Sequence, residues 1–406
     1  MMQHIINSAQ TCLDCKKPKC QKGCPVNTPI AEMIRLFLAG DIKIAGEKIF
    51  ENNPLSIICS LVCPHEKHCE GHCVLNKKYT PVNVGGIENY ISTYYMNYKE
   101  FEKPKSNGHN IAIIGSGPAG ISLAMILALK GYEITMYEGH DKIGGVLRYG
   151  IPDFRLDKSI LDELLLKLKK IGVKIRPNTL IGKNITIDEL FRDGYKAVFI
   201  GTGVWTPKKL GLKGETLGNV HFAIDYLKSP KAYNLGKKVV IVGAGNVAMD
   251  VARTAIRNGS REVSIMYRKG FEQMSAEKLE VEYAKIDGVK FNLYKLPLEF
   301  TSKGIKYLST DEENPNIEGF EEADSILVSI SQQPRDLIVS NTKGINVGED
   351  GLVVTNENGE TTREGVFASG DVVTGARTVV EAVALSKRVA ISIEKYIANL
   401  KEQEAC

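Results

Sequence analysis

The stretch Asn110-Ile-Ala-Ile-Ile-Gly-Ser-Gly-Pro-Ala-Gly120 decides the fold of the larger part of this chain. Its apolar run predicts a short buried strand ending in three glycines, and residues 119–130 continue with the spacing of a long apolar helix. A second strand pattern follows at residues 133–137. Strand, glycine-rich turn, helix and strand in this order form the β–α–β unit that holds the pyrophosphate of a dinucleotide.

Each residue of this motif has a physical task. Gly115 permits the tight turn, Gly117 lets the backbone approach the pyrophosphate, and Gly120 lets the helix pack close to the strand. The N–H groups at the start of the helix then face the phosphates. Glu138 ends the second strand and is placed to accept hydrogen bonds from ribose hydroxyl groups. We therefore expect FAD at this first motif.

The same pattern recurs at Lys238-Val-Val-Ile-Val-Gly-Ala-Gly-Asn-Val-Ala248 and predicts a second nucleotide-binding module. Its candidate binding residues are Gly243, Gly245, Asn246, Val247 and Ala248.

The second strand of this module ends in Tyr267-Arg268-Lys269, with no acid where the first module has Glu138. A cation at this place favours a 2′-phosphate, because an arginine can donate two hydrogen bonds to phosphate oxygens. Arg268 and Lys269 therefore favour NADPH over NADH in the second module. The alternative is that Arg268 is a solvated surface cation.

A third contribution to the flavin site comes from the C-terminal part of the chain. A strand pattern at 365–368 leads into Ser369-Gly370-Asp371, and residues 378–400 predict a long closing helix. An aspartate at a strand end suits the ribityl or pyrophosphate part of a flavin. Pro118 and Ala119 complete the first motif, so that glycines and a proline shape the site and no catalytic triad is expected.

Composition limits the classes of function. The chain has 406 residues, 43% of them hydrophobic and 25% charged, with a formal net charge of +4. We expect no nucleic-acid or membrane partner, since there is no dense block of lysine and arginine and no apolar stretch long enough to span a bilayer. The N-terminal residues lack a secretory signal, so a cytoplasmic location is expected.

Eight of the nine cysteines lie between Cys12 and Cys73, and the ninth is Cys406. Four of them fall within Cys12-x2-Cys15-x4-Cys20-x3-Cys24-Pro25, a run that ends in Cys-Pro as in bacterial ferredoxins. Zinc sites more often use two CxxC pairs separated by a long spacer. Residues 74–405 contain no cysteine, so electrons cannot leave a flavin through a disulfide there. The cysteines therefore predict iron–sulfur clusters, with structural zinc as the alternative.

Nearly the whole chain resembles the glutamate synthase small-subunit family, which includes the N-terminal half of dihydropyrimidine dehydrogenase. The shared blocks are residues 144–156, 201–203, 243–250, and 370–371 with 378–382. Residues 53–64 and 81–88 are most similar to dihydropyrimidine dehydrogenase, and in particular to its separate bacterial NAD(P)H-oxidising subunit. The resemblance adds further cofactor-binding residues: Gly145, Leu147, Arg148, Arg155, Gly203 and Thr378.

The resemblance also implies how the clusters are held. One 4Fe–4S cluster would be bound by Cys12, Cys15, Cys20 and Cys73. The other would be bound by Cys24, Cys63, Cys69 and the carboxylate of Glu88. Cys59 would then remain as a small buried thiol. The chain departs from the family in two places, near Ser275, where a second cofactor-binding arginine is replaced, and at Ser331-Gln332.

We therefore expect an α/β fold with two Rossmann-like three-layer domains, preceded by an α-helical iron–sulfur domain. The predicted boundaries are 1–105 for the helical domain, 106–230 with 328–406 for the FAD-binding domain, and 231–327 for the NAD(P)H-binding domain. The acidic segment 311–322 is expected to be a surface loop.

The expected activity is that of a FAD-dependent NAD(P)H oxidoreductase, in which hydride passes to the flavin and single electrons then pass to two 4Fe–4S clusters. A partner subunit would hold the organic substrate. We expect an FMN- and iron–sulfur-containing catalytic subunit of the dihydropyrimidine dehydrogenase type, acting on uracil or thymine, or else a glutamate synthase large subunit. A related ferredoxin-linked NADPH oxidoreductase is a further alternative. Another class of function is a non-catalytic, nucleotide-sensing flavoprotein.

Overall fold

The computed structural model describes residues 2–405 except 184 and 314. Cys406 lies outside the described residues. The chain consists of two compact units. The first contains residues up to 145, 154–204 and those from 334 onward, and the second contains 146–153 and 205–333.

The first unit begins with a group of helices that carries the cysteines. These helices, numbered in chain order, are α1 (Met2–Gln10), α2 (Lys19–Gly23), α3 (Ile30–Leu38), α4 (Ile42–Asn52), α5 (Ser56–Val62) and α6 (Val84–Tyr98). Their common core is made by aliphatic side chains such as Met33, Ile49 and Ile87, which are fully buried. Asn83 caps α6, because its side chain accepts a hydrogen bond from the N–H of Gly86 at 2.8 Å.

A five-stranded parallel sheet forms the rest of the first unit, in the order β15-β4-β1-β2-β3. The strands are β1 (Asn110–Ile114), β2 (Glu133–Tyr137), β3 (Lys174–Arg176), β4 (Ala197–Ile200) and β15 (Val366–Ala368). The helices are α7 (Pro118–Ala128), α9 (Lys158–Lys170), α10 (Ile187–Arg192), α14 (Leu337–Ser340), α15 (Asp371–Thr374) and α16 (Val379–Ala405). Side chains of β1 alternate between the two faces, since Ala112 and Ile114 join the cluster around Leu190 and Val353.

The second unit has its own five-stranded parallel sheet, in the order β6-β13-β7-β8-β9. The strands of the whole second unit, which belong to three sheets, are β5 (Thr206–Pro207), β6 (Val220–Phe222), β7 (Lys238–Val242), β8 (Glu262–Met266), β9 (Lys290–Asn292), β10 (Lys295–Thr301), β11 (Gly304–Ser309), β12 (Glu318–Glu322), β13 (Ser325–Val328) and β14 (Gln332–Gln333). Its helices are α8 (Val146–Tyr149), α11 (Ala223–Lys228), α12 (Asn246–Arg257) and α13 (Lys278–Ile286).

The second unit confirms the predicted three layers and shows what the third layer is. Val239 and Ile241 of β7 pack with the helical residues, whereas Val240 and Val242 pack with Phe300 of the antiparallel sheet β10-β11-β12. The parallel sheet is therefore covered by helices on one face and by a small antiparallel sheet on the other.

Two expectations about this unit differ from the structure. The acidic segment 311–322 is not wholly a loop, because β12 pairs with β11. The charges of this segment suggested that it is exposed to solvent. Glu321, however, accepts a hydrogen bond from Ser264 at 2.7 Å and pairs with Lys295 at 3.1 Å. The second unit also includes residues from 205 onward, whereas the predicted NAD(P)H-binding domain starts at 231. The reason is that β6 pairs with β13 and so belongs to the second sheet.

Candidate functional site

The first glycine motif forms a cradle at the carboxyl end of β1. Gly115 has φ +97°, and a Cβ placed there would lie 2.5 Å from the carbonyl oxygen of Gly201, just after β4. A Cβ on Gly120 would lie 2.0 Å from the carbonyl oxygen of Gly115. Only glycine therefore permits this turn and the close packing of α7.

Gly117 has a different environment. A Cβ placed on Gly117 would meet only the Cα of Gly145, at 4.0 Å, so the space in front of it is open. Gly145 has φ +52°, and its own Cβ would lie 2.7 Å from the Cα of Gly117. The two backbones thus face a shared space at the N-terminus of α7, and that space fits the pyrophosphate of FAD.

Glu138 holds the glycine loop itself. Its Oε2 accepts hydrogen bonds from the N–H and the hydroxyl of Ser116, and its Oε1 accepts from the N–H and ring of His140 at 2.8 and 2.9 Å. Burial would raise the pKa of Glu138, but the bonds from His140 and Ser116 outweigh it and lower that pKa. If Glu138 also accepts hydrogen bonds from ribose hydroxyl groups, as predicted, the same carboxylate would serve both the glycine loop and the ribose.

The C-terminal block reaches the same cradle. Ser386 of α16 donates a hydrogen bond to the carbonyl oxygen of Ala119 at 3.1 Å, and its hydroxyl lies 3.0 Å from that of Ser369. Gly370 follows with φ +75°, and a Cβ there would lie 3.0 Å from the Cβ of Ala119. Burial raises the pKa of Asp371 to about 6. The structure therefore brings Gly370 to the start of α7, with Asp371 next to it in the chain.

Thr378 has a structural partner of its own. Its N–H and hydroxyl both donate to Oε2 of Glu381, at 3.0 and 2.6 Å, and these bonds lie at the start of α16.

Gly203, with φ +67°, lies just after β4 at the same edge of the first sheet. The predicted block 144–156 is divided between the units, with Gly145 and Arg155 in the first and Leu147 and Arg148 in the second.

The second cradle repeats the geometry of the first. Gly243 has φ +125°, and a Cβ there would lie 2.1 Å from the carbonyl oxygen of Ser329, just after β13. Gly245 is followed by Asn246, whose side chain accepts a hydrogen bond from the N–H of Glu277 at 2.8 Å. Val247 and Ala248 lie in the first turn of α12.

The cations of the second module follow β8. Arg268 and Lys269 are exposed and lie after the carboxyl end of this strand, at the sheet edge that also carries Gly243. Ser275 lies beside Gly245, because a Cβ on Gly245 would be 3.3 Å from its hydroxyl oxygen. The departure from the family pattern therefore lies directly at the cradle.

The cysteines form two groups. The first group lines one cavity of the helical segment and consists of Cys12, Cys15, Cys20 and Cys73. The cavity walls also include the aliphatic side chains of Ile30, Ile34 and Val84. Burial raises the pKa of Cys20 to about 11, so its thiolate needs a nearby cation such as cluster iron. A thiolate set in an apolar cavity fits an iron–sulfur cluster.

The second group contains Cys24, Cys63, Cys69 and Glu88. Burial raises the pKa of Cys63 and Cys69, and the charges of Glu88 and Cys24 raise both further. Burial raises the pKa of Glu88 to about 8, in keeping with a carboxylate that needs a cation beside it. Cys59 is buried within reach of the same charges of Glu88 and Cys24. None of the eight described cysteines forms a disulfide.

Sequence reasoning missed the residues that join the second thiol group to α16. Lys387 donates a hydrogen bond to Oδ1 of Asn52 at 2.6 Å, and it lies close enough to Cys24 for the two groups to interact electrostatically. Ser386, the preceding residue, contacts the flavin cradle. No sequence signal could reveal this, because the partners are far apart in the chain.

Two dinucleotide cradles at the edges of two parallel sheets, together with buried thiol groups, define a flavin- and nicotinamide-dependent iron–sulfur oxidoreductase. Residues 109–385 match the family model for pyridine nucleotide-disulphide oxidoreductases. Residues 1–100 match the model for dihydropyrimidine dehydrogenase domain II with a 4Fe–4S cluster. The chain belongs to the pyridine nucleotide-disulphide oxidoreductase family, in the group that includes the glutamate synthase small chain.

Two curated relatives are similar to the chain over nearly their whole length. The glutamate synthase [NADPH] small chain of Escherichia coli is 30% identical, over 96% of this chain and 90% of the relative. The NAD-dependent dihydropyrimidine dehydrogenase subunit PreT of the same species is 31% identical, over 97% and 94%. The chain therefore uses FAD, NAD(P)H and a 4Fe–4S cluster and is an oxidoreductase.

Solved structures share the fold. FprA from Mycobacterium tuberculosis in complex with NADPH has a TM-score of 0.60 at 19% identity, over 73% of this chain and 86% of that one. Thioredoxin reductase from T. acidophilum has a TM-score of 0.58 at 21% identity, over 72% and 99%. Among the helices that the structure describes, none has the length and apolar character of a membrane span.

Proposed function

We propose that this protein is the NAD(P)H-oxidising subunit of a larger enzyme and delivers electrons to a partner subunit through two 4Fe–4S clusters. Cys12, Cys15, Cys20 and Cys73 would hold the first cluster, and Cys24, Cys63, Cys69 and Glu88 the second. When bound, FAD accepts hydride from NAD(P)H and releases the electrons singly.

The observation that carries this proposal is the position of α16. One stretch of this helix contacts the flavin cradle, through Ser386 and Ala119. The next residue, Lys387, lies close enough to Cys24 of the second thiol group for the two to interact electrostatically. The first thiol group borders the exposed side chains of Leu13 and Val74. This arrangement supports an order of flavin, second cluster, first cluster and partner.

The side chains of the flavin site bind and orient and need not act as acids or bases. Gly117 and Gly145 leave room for the pyrophosphate, and Glu138 holds the loop between them. In the second module the backbone at Gly245, beside the Ser275 hydroxyl, would face the pyrophosphate, and Arg268 would bind the 2′-phosphate of NADPH. Hydride transfer requires stacking and distance rather than a side-chain nucleophile.

The preferred partner is an FMN- and iron–sulfur-containing subunit of the dihydropyrimidine dehydrogenase type. The match of residues 1–100 to dihydropyrimidine dehydrogenase domain II supports this partner. The similarity to PreT supports it too, because it extends over nearly the whole of both chains. A glutamate synthase large subunit is the second candidate, because several small chains of that enzyme are similar to this protein over nearly their full length. We further propose a cytoplasmic location.

Anaerobic titration of the purified protein with NADPH tests the electron path. We expect the flavin absorbance to bleach and the electron paramagnetic resonance of reduced clusters to appear, with iron and sulfide for two clusters. A flavin that stays oxidised would favour a nucleotide sensor, and zinc in place of iron would exclude the clusters. Reconstitution with each candidate partner, assayed for uracil reduction or glutamate formation, would then identify the partner.

A further inference from the structure

The surface around the first thiol group combines exposed apolar side chains with an excess of positive charge. Leu13 is 62% exposed, Val74 38% and Tyr79 72%. Leu13 and Val74 also line the cavity that contains Cys12 and Cys73. An exposed apolar patch at the mouth of a redox site is typical of a surface that another protein covers.

Six exposed lysines surround this patch, and we call the patch and its lysines the lysine-ringed face. Each lysine stands within three residues of a side chain that lines the cavity, and they are Lys16, Lys17, Lys19, Lys22, Lys77 and Lys78. Within the described part of the chain none of the six forms an ion pair. The two segments that carry the lysines, 11–23 and 63–83, also contain three acids, Asp14, Glu66 and Glu70. Asp14 is paired with Arg35 at 3.7 Å, and Glu70 accepts a hydrogen bond from the N–H of Gly85 at 3.0 Å.

The two loops that carry the lysines lie side by side. A Cβ on Gly23 would lie 2.5 Å from the ring of His72, so that ring packs against the backbone of the first loop. Lys22 and Lys77 therefore belong to one surface rather than to two separate ones. Like charges held close together repel each other, and an acidic partner would relieve that repulsion.

We propose that the lysine-ringed face docks the acidic surface of an electron-accepting protein, which receives electrons from the first thiol group. The proposal rests on the proposed function for the direction of electron flow. A redox protein is the favoured occupant because the apolar centre of the face borders the cavity of a redox group. Complementary charge steers two redox proteins together and raises their rate of association.

The test uses the complete, cluster-loaded protein and an acidic ferredoxin as electron acceptor. The protein is reduced either with NADPH or directly with dithionite followed by removal of the excess, and the rate of ferredoxin reduction is measured at low and high salt. If dithionite-reduced protein reduces ferredoxin but NADPH does not, the proposed electron path fails while the docking proposal stands.

The charge variant combines Lys16→Glu, Lys77→Glu and Lys78→Glu. We expect ferredoxin reduction at low salt to slow by about tenfold or more and to lose most of its salt dependence. The matched control combines Lys170→Glu, Lys303→Glu and Lys343→Glu, which change the net charge equally at exposed sites elsewhere, and we expect it to stay within about twofold. Reduction of ferricyanide, a small acceptor, reports whether the flavin site remains intact, and the iron and sulfide contents report whether the clusters do.

The apolar centre has its own test. Leu13→Ser should weaken binding of ferredoxin, whereas Leu166→Ser, at a leucine that is 59% exposed on α9, should not. Equal effects of the patch and control variants, or no ferredoxin reduction by the dithionite-reduced protein, would overturn the proposal. Binding to vesicles of phosphatidylcholine and phosphatidylserine, with loss in the charge variant and no ferredoxin reduction, would assign the face to a membrane instead.

Discussion

The ammonium group of Lys387 lies 2.6 Å from Oδ1 of Asn52 and thereby joins α16 to the end of α4. Burial lowers the pKa of Lys387, and the nearby Cys24 thiol offsets only part of that effect. Nδ2 of Asn52 is buried without a hydrogen-bond partner among the described residues. A cation and an unused donor thus lie next to the proposed second cluster, on the helix that also contacts the flavin cradle.

Replacing Lys387 with methionine should lower the reduction potential of the second cluster. A positive charge near a cluster stabilises its reduced, more negative form, so its loss should cost on the order of 50 mV. Redox titration followed by electron paramagnetic resonance measures the shift. Lys395→Met, at an exposed position of the same helix, is the control, and a shift of equal size there would refute a local effect.

Gly117→Ala should leave the fold intact and weaken FAD binding. A Cβ at Gly117 meets only open space, which the pyrophosphate would occupy. Gly115→Ala should instead prevent normal folding, because its Cβ would collide with Gly201 and its φ is positive.

Flavin content and circular dichroism of the two variants separate these outcomes. Gly218→Ala is the control, since no atom lies within 4 Å of its Cβ position. Normal flavin content in Gly117→Ala would show that the pyrophosphate does not bind there.

The sequence predicts those parts of the structure that depend on neighbouring residues. The spacing of Gly115, Gly117 and Gly120 encodes turn, cradle and helix packing within one short segment, so both cradles could be located. The role of β12 could not, because alternating glutamates look solvated until Ser264 and Lys295 are brought to Glu321 by tertiary folding. The grouping of the cysteines came from resemblance, since spacing alone does not assign Cys73 to the cavity of Cys12.

Glu138→Gln should destabilise the protein near neutral pH and much less in acid. The folded-state pKa of Glu138 is lowered, so its contribution is present above the unfolded value of about 4.3 and is lost as pH falls through the folded value. Loss of charge-assisted hydrogen bonds should cost about 1–3 kcal/mol at pH 7.

Urea unfolding at pH 7 and at pH 4, followed by circular dichroism under anaerobic conditions, checks this. Glu322→Gln serves as the control, because that carboxylate is exposed and its pair with Lys238 lies on the surface. A difference between wild type and Glu138→Gln that is the same at both pH values would contradict the assignment.

Arg268→Ala should reduce kcat/KM for NADPH by about 10–100-fold and leave kcat/KM for NADH within about threefold. The reason is that only NADPH carries the 2′-phosphate that the guanidinium of Arg268 would bind. Arg268 follows the carboxyl end of β8, where the second cradle lies. Arg261 is exposed just before the amino end of the same strand, roughly 17 Å away along its length, so Arg261→Ala should affect neither nucleotide. Steady-state rates with ferricyanide as acceptor isolate this step from the clusters. Equal losses with both nucleotides would mean that Arg268 does not read the 2′-phosphate, and the NADPH preference would then have to come from elsewhere at the cradle, where Ser275 lies beside Gly245.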